Sequence, residues 1–337
     1  MTTNVIELSP SEISAAVRDC ILSNIVPIVL GSPGAGKSEI MSQTIGDLKM
    51  REVTEIVSTM DQTDWRGVPD LDKKRKSTTW YAPDFLPRAE DPDTVVFLDE
   101  ITQVPASCQA PLYQLLLNRR IGTVYTAPPA TRFVAAGNLM DDGTFVNRIG
   151  SALRDRMIVL YIKQNIDDWS RWAYKAGIAP SVIAFLRFRP AMLFAFNKAE
   201  WASPTPRGWK MVSDIIQNAK STGRVRDALI MGKVGEAGMR EFTGFEALFN
   251  NAPSLDAIRM NPDTAEIPTR PEIRYAVANG LSLTATVGNM DRTVIYLNRM
   301  PEEYGMFAVK TATRRDSKLA ATPSVTKWFV DHADALN

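Results

Sequence analysis

Gly31-Ser32-Pro33-Gly34-Ala35-Gly36-Lys37-Ser38 follows an apolar run, Ile25 to Leu30, and precedes a helical pattern that reaches about Lys49. The run reads as a buried strand, and the spacing G-x-x-x-x-G-K-S lets glycine backbones bring N–H groups against phosphate at the positive end of the following helix. In such a loop Lys37 is expected to reach the outer phosphates and the Ser38 hydroxyl to hold Mg²⁺.

Downstream, Val95-Val96-Phe97-Leu98 is a continuous apolar run ending in Asp99 and Glu100. Two adjacent acids at the C-terminal end of a buried strand have a chemical use: Asp99 can hold Mg²⁺ through water, and Glu100 can polarise an attacking water. A solvated strand end is the bland alternative, and the phosphate loop upstream decides against it. The second acid favours hydrolysis over phosphotransfer, because a small-molecule kinase needs no water-activating Glu beside its metal acid.

Three further polar positions follow. Asn138 comes after the strand candidate Arg132 to Ala136, where its amide could face the attacking water; by itself, Asn after Gly137 is a turn residue. Arg154 and Arg156 flank Asp155 just before the strand candidate Met157 to Ile162. From there a guanidinium could reach the nucleotide of a neighbouring subunit, with a salt bridge to Asp155 as the alternative; Arg156 is the favoured finger. Thr205-Pro206-Arg207 reads as a helix start, with Thr205 as cap and Pro206 at the first helical position. An arginine is unfavourable at the positive end of a helix, so Arg207 hints at a compensating anion, against a plain surface residue.

Working outward, Ser9, Pro10 and Glu12 read as a capped helix start running to about Ser23, and Val53 to Ser58 as another strand. Asp61 to Pro87 holds Gly67, Pro69, Pro83 and Pro87 around the charged run Asp72 to Lys76, and is expected to be an elaborated loop. Pro105 to Arg119 is expected to be helical with Leu112, Leu115 and Leu116 on one side, Pro111 kinking it or moving its start. Gly122 to Ala130 reads as a hairpin or extended loop. Strands alternating with helices imply a parallel sheet covered on both faces. Past Ile166 only helical windows follow: 167–176, 180–188, 206–219, 270–278 and 324–335.

The chain has 337 residues, which favours two domains. Hydrophobic residues make up 45% and charged ones 23%, a globular composition. With 39 Lys plus Arg against 38 Asp plus Glu, no global basic field draws the chain to nucleic acid or an anionic membrane. Cys20, Cys108 and the single His332 are too few for a zinc site or a disulfide framework. Cys20 falls on the apolar face with Ile13, Ala16, Val17 and Ile21, and His332 is expected to be solvated. The run Ile21 to Leu30 contains Asn24 and Pro27 and lacks a basic leader, and no segment approaches the ~18 apolar residues of a membrane span. A cytoplasmic protein is expected.

Taken in order, these residues resemble the AAA+ superfamily and, within it, the MoxR-like branch of the helix-2-insert clade, related to the dynein and midasin type. Asp64-Trp65-Arg66-Gly67-Val68-Pro69 followed by Trp80-Tyr81-Ala82-Pro83-Asp84-Phe85-Leu86-Pro87 is similar to the segment that forms the clade's insert in helix 2. Gln109, Tyr113-Gln114-Leu115 and Arg119-Arg120-Ile121-Gly122 resemble the run leading to the hairpin before the sensor strand. Ala135 to Asn138 resembles the first sensor, Ser151 to Arg156 the arginine finger, and Thr205 to Trp209 the second sensor. Two departures stand out: Leu139 occupies a position where the family often has Arg, and Arg154 duplicates the finger.

The resemblance covers about residues 9 to 215. It implies a P-loop NTPase of AAA+ type: a nucleotide-binding α/β domain over 1–165 with the insert near 61–87, a smaller helical lid over 166–260, and a helical extension over 261–337. It further implies ATP and Mg²⁺ as cofactors, a hexameric ring, and remodelling or activation of a protein target with a partner bearing a von Willebrand factor A domain. The rival is a nucleic-acid motor or loader, whose best feature is Lys73-Lys74-Arg75-Lys76 beside Trp80 and Tyr81; such a run is otherwise a solvated loop.

Overall fold

The computed structural model describes residues 5–139, 150, 154–250 and 253–332, and it divides into two compact units, Met1–Asp168 and Trp169–Asn337. The first unit contains strands β1 (Glu7–Leu8), β2 (Val26–Leu30), β3 (Arg51–Ile56), β4 (Val68–Asp72), β5 (Ser77–Tyr81), β6 (Thr94–Asp99), β7 (Arg120–Ile121), β8 (Tyr125–Thr126), β9 (Arg132–Gly137) and β10 (Met157–Ile162). Six of them form one all-parallel sheet in the order β1-β10-β2-β9-β6-β3.

Burial on both faces explains why the central strands read as unbroken apolar runs. Successive side chains alternate between two cores. Val95 and Phe97 of β6, Val29 of β2 and Val134 of β9 pack with Ile13, Val17, Met41 and Ile45. Val96 and Leu98, Ile28, and Phe133 and Ala135 pack with Leu112 and Leu115. The first core is covered by helices α1 (Pro10–Leu22) and α2 (Lys37–Asp47). α1 starts at the expected capping box, in which Ser9 N–H donates to Glu12 Oε2 at 2.8 Å, and its buried face includes Cys20.

The 61–87 segment differs from the irregular loop expected of it. A short helix, α3 (Gln62–Arg66), leads into an antiparallel hairpin of β4 and β5 whose tip is the basic run. Both faces of the hairpin are exposed, so its sequence lacks the alternation that marks a half-buried strand. Its two ends are anchored: Trp65 is fully buried and meets Phe85 edge-on with ring centroids 5.9 Å apart, and Leu86 is buried. Gly67, at φ +77°, lies where a Cβ would overlap the Tyr81 carbonyl oxygen, which lets the chain turn tightly into the hairpin.

Helix α4 (Ala106–Asn118) keeps its start and runs through Pro111. Proline has no N–H for the carbonyl of Ser107, and that carbonyl instead accepts a hydrogen bond from Gln62 Nε2 of α3 at 3.0 Å. The expected hairpin after α4 is the pair β7 and β8.

All described elements of the second unit are helical. Ile166–Lys175, which crosses the boundary between the units, Pro180–Phe188, Pro206–Asn218, Pro271–Thr284 and Pro323–Asp331 fall on the expected windows; residues 333–335 of the last window lie outside the described residues. Four more segments, Gly223–Asn250, Leu255–Met260, Met290–Leu297 and Glu302–Arg315, are α-helical where periodicity gave no separate signal. Gly223–Asn250 breaks at Gly235 (φ 74°, ψ 172°). Arg226 binds both carboxylate oxygens of Glu246, at 2.8 and 2.6 Å. A straight helix would separate those residues by about 30 Å, so the two arms fold back on each other. His332 is not simply solvated: its ring stacks on Trp328 with centroids 4.2 Å apart. No helix among the described residues is long and apolar enough to cross a membrane.

Candidate nucleotide and hydrolysis site

Parallel pairing brings the C-terminal ends of β2, β9, β6 and β3 to one edge, with Leu30 opposite Gly137 and Ile56 opposite Asp99. The phosphate loop, Asn138, Asp99 with Glu100, and the turn Val57–Thr59 therefore emerge side by side. Gly34 (φ 75°) and Gly36 (φ 88°) supply the left-handed backbone the loop needs. A Cβ on Gly31 would overlap Ile162 Cγ2 of β10. Gly36 caps α2 without a side chain to satisfy the first N–H groups, which leaves them directed at the loop's interior.

Lys37 is 8% exposed, and its ammonium donates to Gly31 O (2.6 Å), Ser32 O (3.1 Å) and Asn138 Oδ1 (2.9 Å). Ser38 Oγ donates to Asp99 Oδ2 at 2.6 Å. That pair of hard oxygens, a hydroxyl and a carboxylate, is the donor chemistry Mg²⁺ accepts, and it fits a site completed by phosphate oxygens and water. Among the described residues no group of three or more His, Cys, Asp or Glu is placed so that it could hold a metal ion by itself.

Glu100 has left-handed backbone geometry (φ 58°, ψ 30°), and its N–H donates to Asp99 Oδ1 at 2.8 Å. This turn parts the two carboxylates: Asp99 faces Ser38, while Glu100 Oε2 accepts a hydrogen bond from Ser58 Oγ on the turn after β3. Asn138 is fixed from below, its N–H donating to Thr102 Oγ1 at 3.0 Å, with Thr102 4% exposed. Gly137 leaves room for that contact, since a Cβ there would stand 2.5 Å from Thr102 Cγ2. Gln164, just beyond β10, donates from Nε2 to Ala35 O of the phosphate loop at 2.8 Å. Ser58, Thr102 and Gln164 belong to no motif; the signal available was their position just past the C-terminal end of a strand.

The structure thus brings together Lys37, Ser38, Asp99, Glu100 and Asn138. Arg154 and Arg156 stand apart: both are exposed and precede β10, whose first residue Met157 pairs with Val26 at the opposite edge of the sheet. Arg207 lies in the second unit, exposed on the first turn of Pro206–Asn218, where Thr205 Oγ1 caps the N–H of Gly208 at 3.0 Å.

Residues 27–157 match the model of the AAA domain, dynein-related subfamily, and the parallel sheet with its phosphate loop, followed by a helical unit, is a P-loop fold of AAA+ type. No curated protein matches the chain. Similar solved structures include NtrX from Brucella abortus, at 13% identity over 91% of this chain and 68% of that one, with a TM-score of 0.41. NtrX in complex with ATP matches at 14% identity over 94% of this chain and 70% of that one, with a TM-score of 0.40. The RuvB Holliday junction branch migration motor of Thermotoga maritima matches at 17% identity over 80% of each chain, with a TM-score of 0.37.

Proposed function

We propose that this chain is a Mg²⁺-dependent ATPase of the MoxR-like kind, which assembles as a ring, hexameric by family resemblance, and remodels or activates a protein target in the cytoplasm. The observation that carries the reading is the separation of two neighbouring carboxylates at the phosphate-loop edge, Asp99 onto Ser38 and Glu100 onto Ser58. Ser38 and Asp99 would hold Mg²⁺, which supplies positive charge against the phosphate oxygens. The loop Gly31 to Ser38 cradles the phosphates, Lys37 neutralises the outer ones, Glu100 takes the proton of the attacking water, and Asn138 orients that water.

Arg156, or its neighbour Arg154, acts on the nucleotide of an adjacent subunit, and Arg207 reads the outer phosphate from a lid over 166–260, with 261–337 as an extension. Family resemblance also supports a partner with a von Willebrand factor A domain. The test is single-turnover hydrolysis with and without Mg²⁺, wild type against Glu100→Gln. Equal rates would sink the catalytic assignment. Specific activity should rise with protein concentration, and a flat profile in a monomeric sample contradicts the ring. Capture from native extract on ATP-locked Glu100→Gln, with bound protein and nucleic acid both identified, tests the target.

A further inference from the structure

The β4–β5 hairpin is the most unusual surface of the first unit. It exposes Val68 and Leu71 on one strand and Trp80 and Tyr81 on the other, with Leu71 69% and Trp80 40% exposed, and it ends in four consecutive cations, Lys73 to Lys76. Side chains opposite each other in an antiparallel ladder share a face. Pro69 opposite Trp80 and Leu71 opposite Thr78 make one face free of charge; the other carries Asp70 and Asp72 with Val68 and Tyr81. The tip is built rather than loose: Asp72 Oδ1 accepts from the backbone N–H of Lys74 and of Arg75, both at 3.0 Å. Among the described residues only Arg75 of the four cations approaches a carboxylate, Asp72 at 3.9 Å.

We propose that this hairpin is a docking site for an extended polypeptide segment in which acidic residues are followed by apolar ones. The acidic part meets the tip, and the apolar part lies along Leu71, Pro69 and Trp80. Charge placement selects polypeptide over nucleic acid. A strand stacking a base on Trp80 would lie about 13 Å from the tip cations, and its phosphates there would run over a face that carries no cation to neutralise them. A peptide needs cations at one end only. The buried Trp65, edge-on to the half-buried Phe85, ties the hairpin's base to the core, so movement of the sheet would pass to whatever the tip holds. That last consequence rests on the ATPase reading; the docking does not.

The test uses the full chain and a short fluorescein-labelled peptide of Asp and Glu residues followed by Leu and Phe. Controls are the same peptide with Lys in place of its acids and a labelled oligothymidylate of similar length. Binding of the acidic peptide alone is expected. It should weaken about tenfold or more in a variant with Lys73, Lys74, Arg75 and Lys76 changed to Ser, and about tenfold in Trp80→Ala. No binding to wild type, binding undiminished in both variants, or an oligonucleotide bound as tightly as the peptide each overturns the proposal. A smaller particle size for the tip variant also overturns it, because the occupant is then a second copy of the chain. Hydrolysis measured on the same wild-type sample tells failure of the ATPase reading from failure of the docking site.

Discussion

Ser58→Ala removes a single hydroxyl that no motif marks, yet it should cost most of the turnover. Glu100 is held at three points: its left-handed backbone, its N–H on Asp99 Oδ1, and its carboxylate on Ser58 Oγ. The first two fix the Cα and leave the side chain free to rotate, so among the described residues it is the Ser58 hydroxyl that sets where the carboxylate lies. A hydrogen bond to a charged group is worth about 1.5–3 kcal/mol, and at about 1.4 kcal/mol per decade the loss is about 10- to 150-fold in turnover. Ser58 does not touch the phosphate loop, so nucleotide affinity should stay within about twofold. Single-turnover hydrolysis with saturating ATP, paired with nucleotide titration, reads both quantities, and Ser58→Thr should restore the rate because it keeps the hydroxyl. An unchanged rate, or a loss that appears in affinity while turnover holds, refutes the role assigned to this contact.

Gly31→Ala places a Cβ into Ile162, which shifts the carbonyl that binds Lys37; nucleotide affinity should fall about tenfold and recover in part in the double variant with Ile162→Ala. Gln62→Ala strips the Ser107 carbonyl of its donor and should cost about 1 kcal/mol in denaturant unfolding, less in a Pro111→Ala background where the helix regains its own N–H. Burial pushes the Tyr125 phenol up to about 12. Its unfolded value is about 10, so the unfolded chain gives up the proton first as pH rises. The stability tied to this group is therefore whole below about pH 10 and lost through about pH 12, by up to about 2–3 kcal/mol. Between about pH 9 and about pH 11 roughly half of that loss, about 1.3 kcal/mol, has occurred, so the difference between unfolding curves at those two pH values should shrink by that much in Tyr125→Phe, after allowing for Tyr174 and Tyr296, which burial also raises to about 12.

What could be read in the sequence was whatever short-range geometry dictates. The phosphate loop needs its glycines at fixed offsets, β6 is unbrokenly apolar from Val95 to Leu98 because both faces are covered, and α1 declares itself by Ser9, Pro10 and Glu12. Contacts made by the sheet across long stretches of chain were not legible. Ser58 meets Glu100 over 42 residues and Thr102 meets Asn138 over 36, and only the strand order β9-β6-β3 makes them neighbours. The hairpin escaped for the opposite reason: with no buried face it carries no periodicity. In Gly223–Asn250 the glycine at 235 reads as one weak helical residue among several, and its role as a reversal appears only through the pairing of Arg226 with Glu246.

The sheet also separates the candidate chemistry into two edges, and that separation bears on assembly. Parallel strands put every C-terminus on one side, so Lys37, Ser38, Asp99, Glu100 and Asn138 gather there, while Arg154 and Arg156 enter β10 from the other side. β10 spans six residues, so Arg156 stands about 20 Å from the phosphate loop of its own chain at ~3.3 Å per residue. A guanidinium side chain reaches about 7 Å, so it cannot close that gap within one subunit. If either arginine contributes to hydrolysis, it does so on a second copy placed edge to edge. Arg156→Ala mixed with Glu100→Gln therefore decides the matter. Each homogeneous variant should be slow, and the mixture should regain activity, because an interface can form between an intact Glu100 and an intact Arg156. A mixture no faster than its components would confine catalysis to one chain and remove Arg156 from the mechanism.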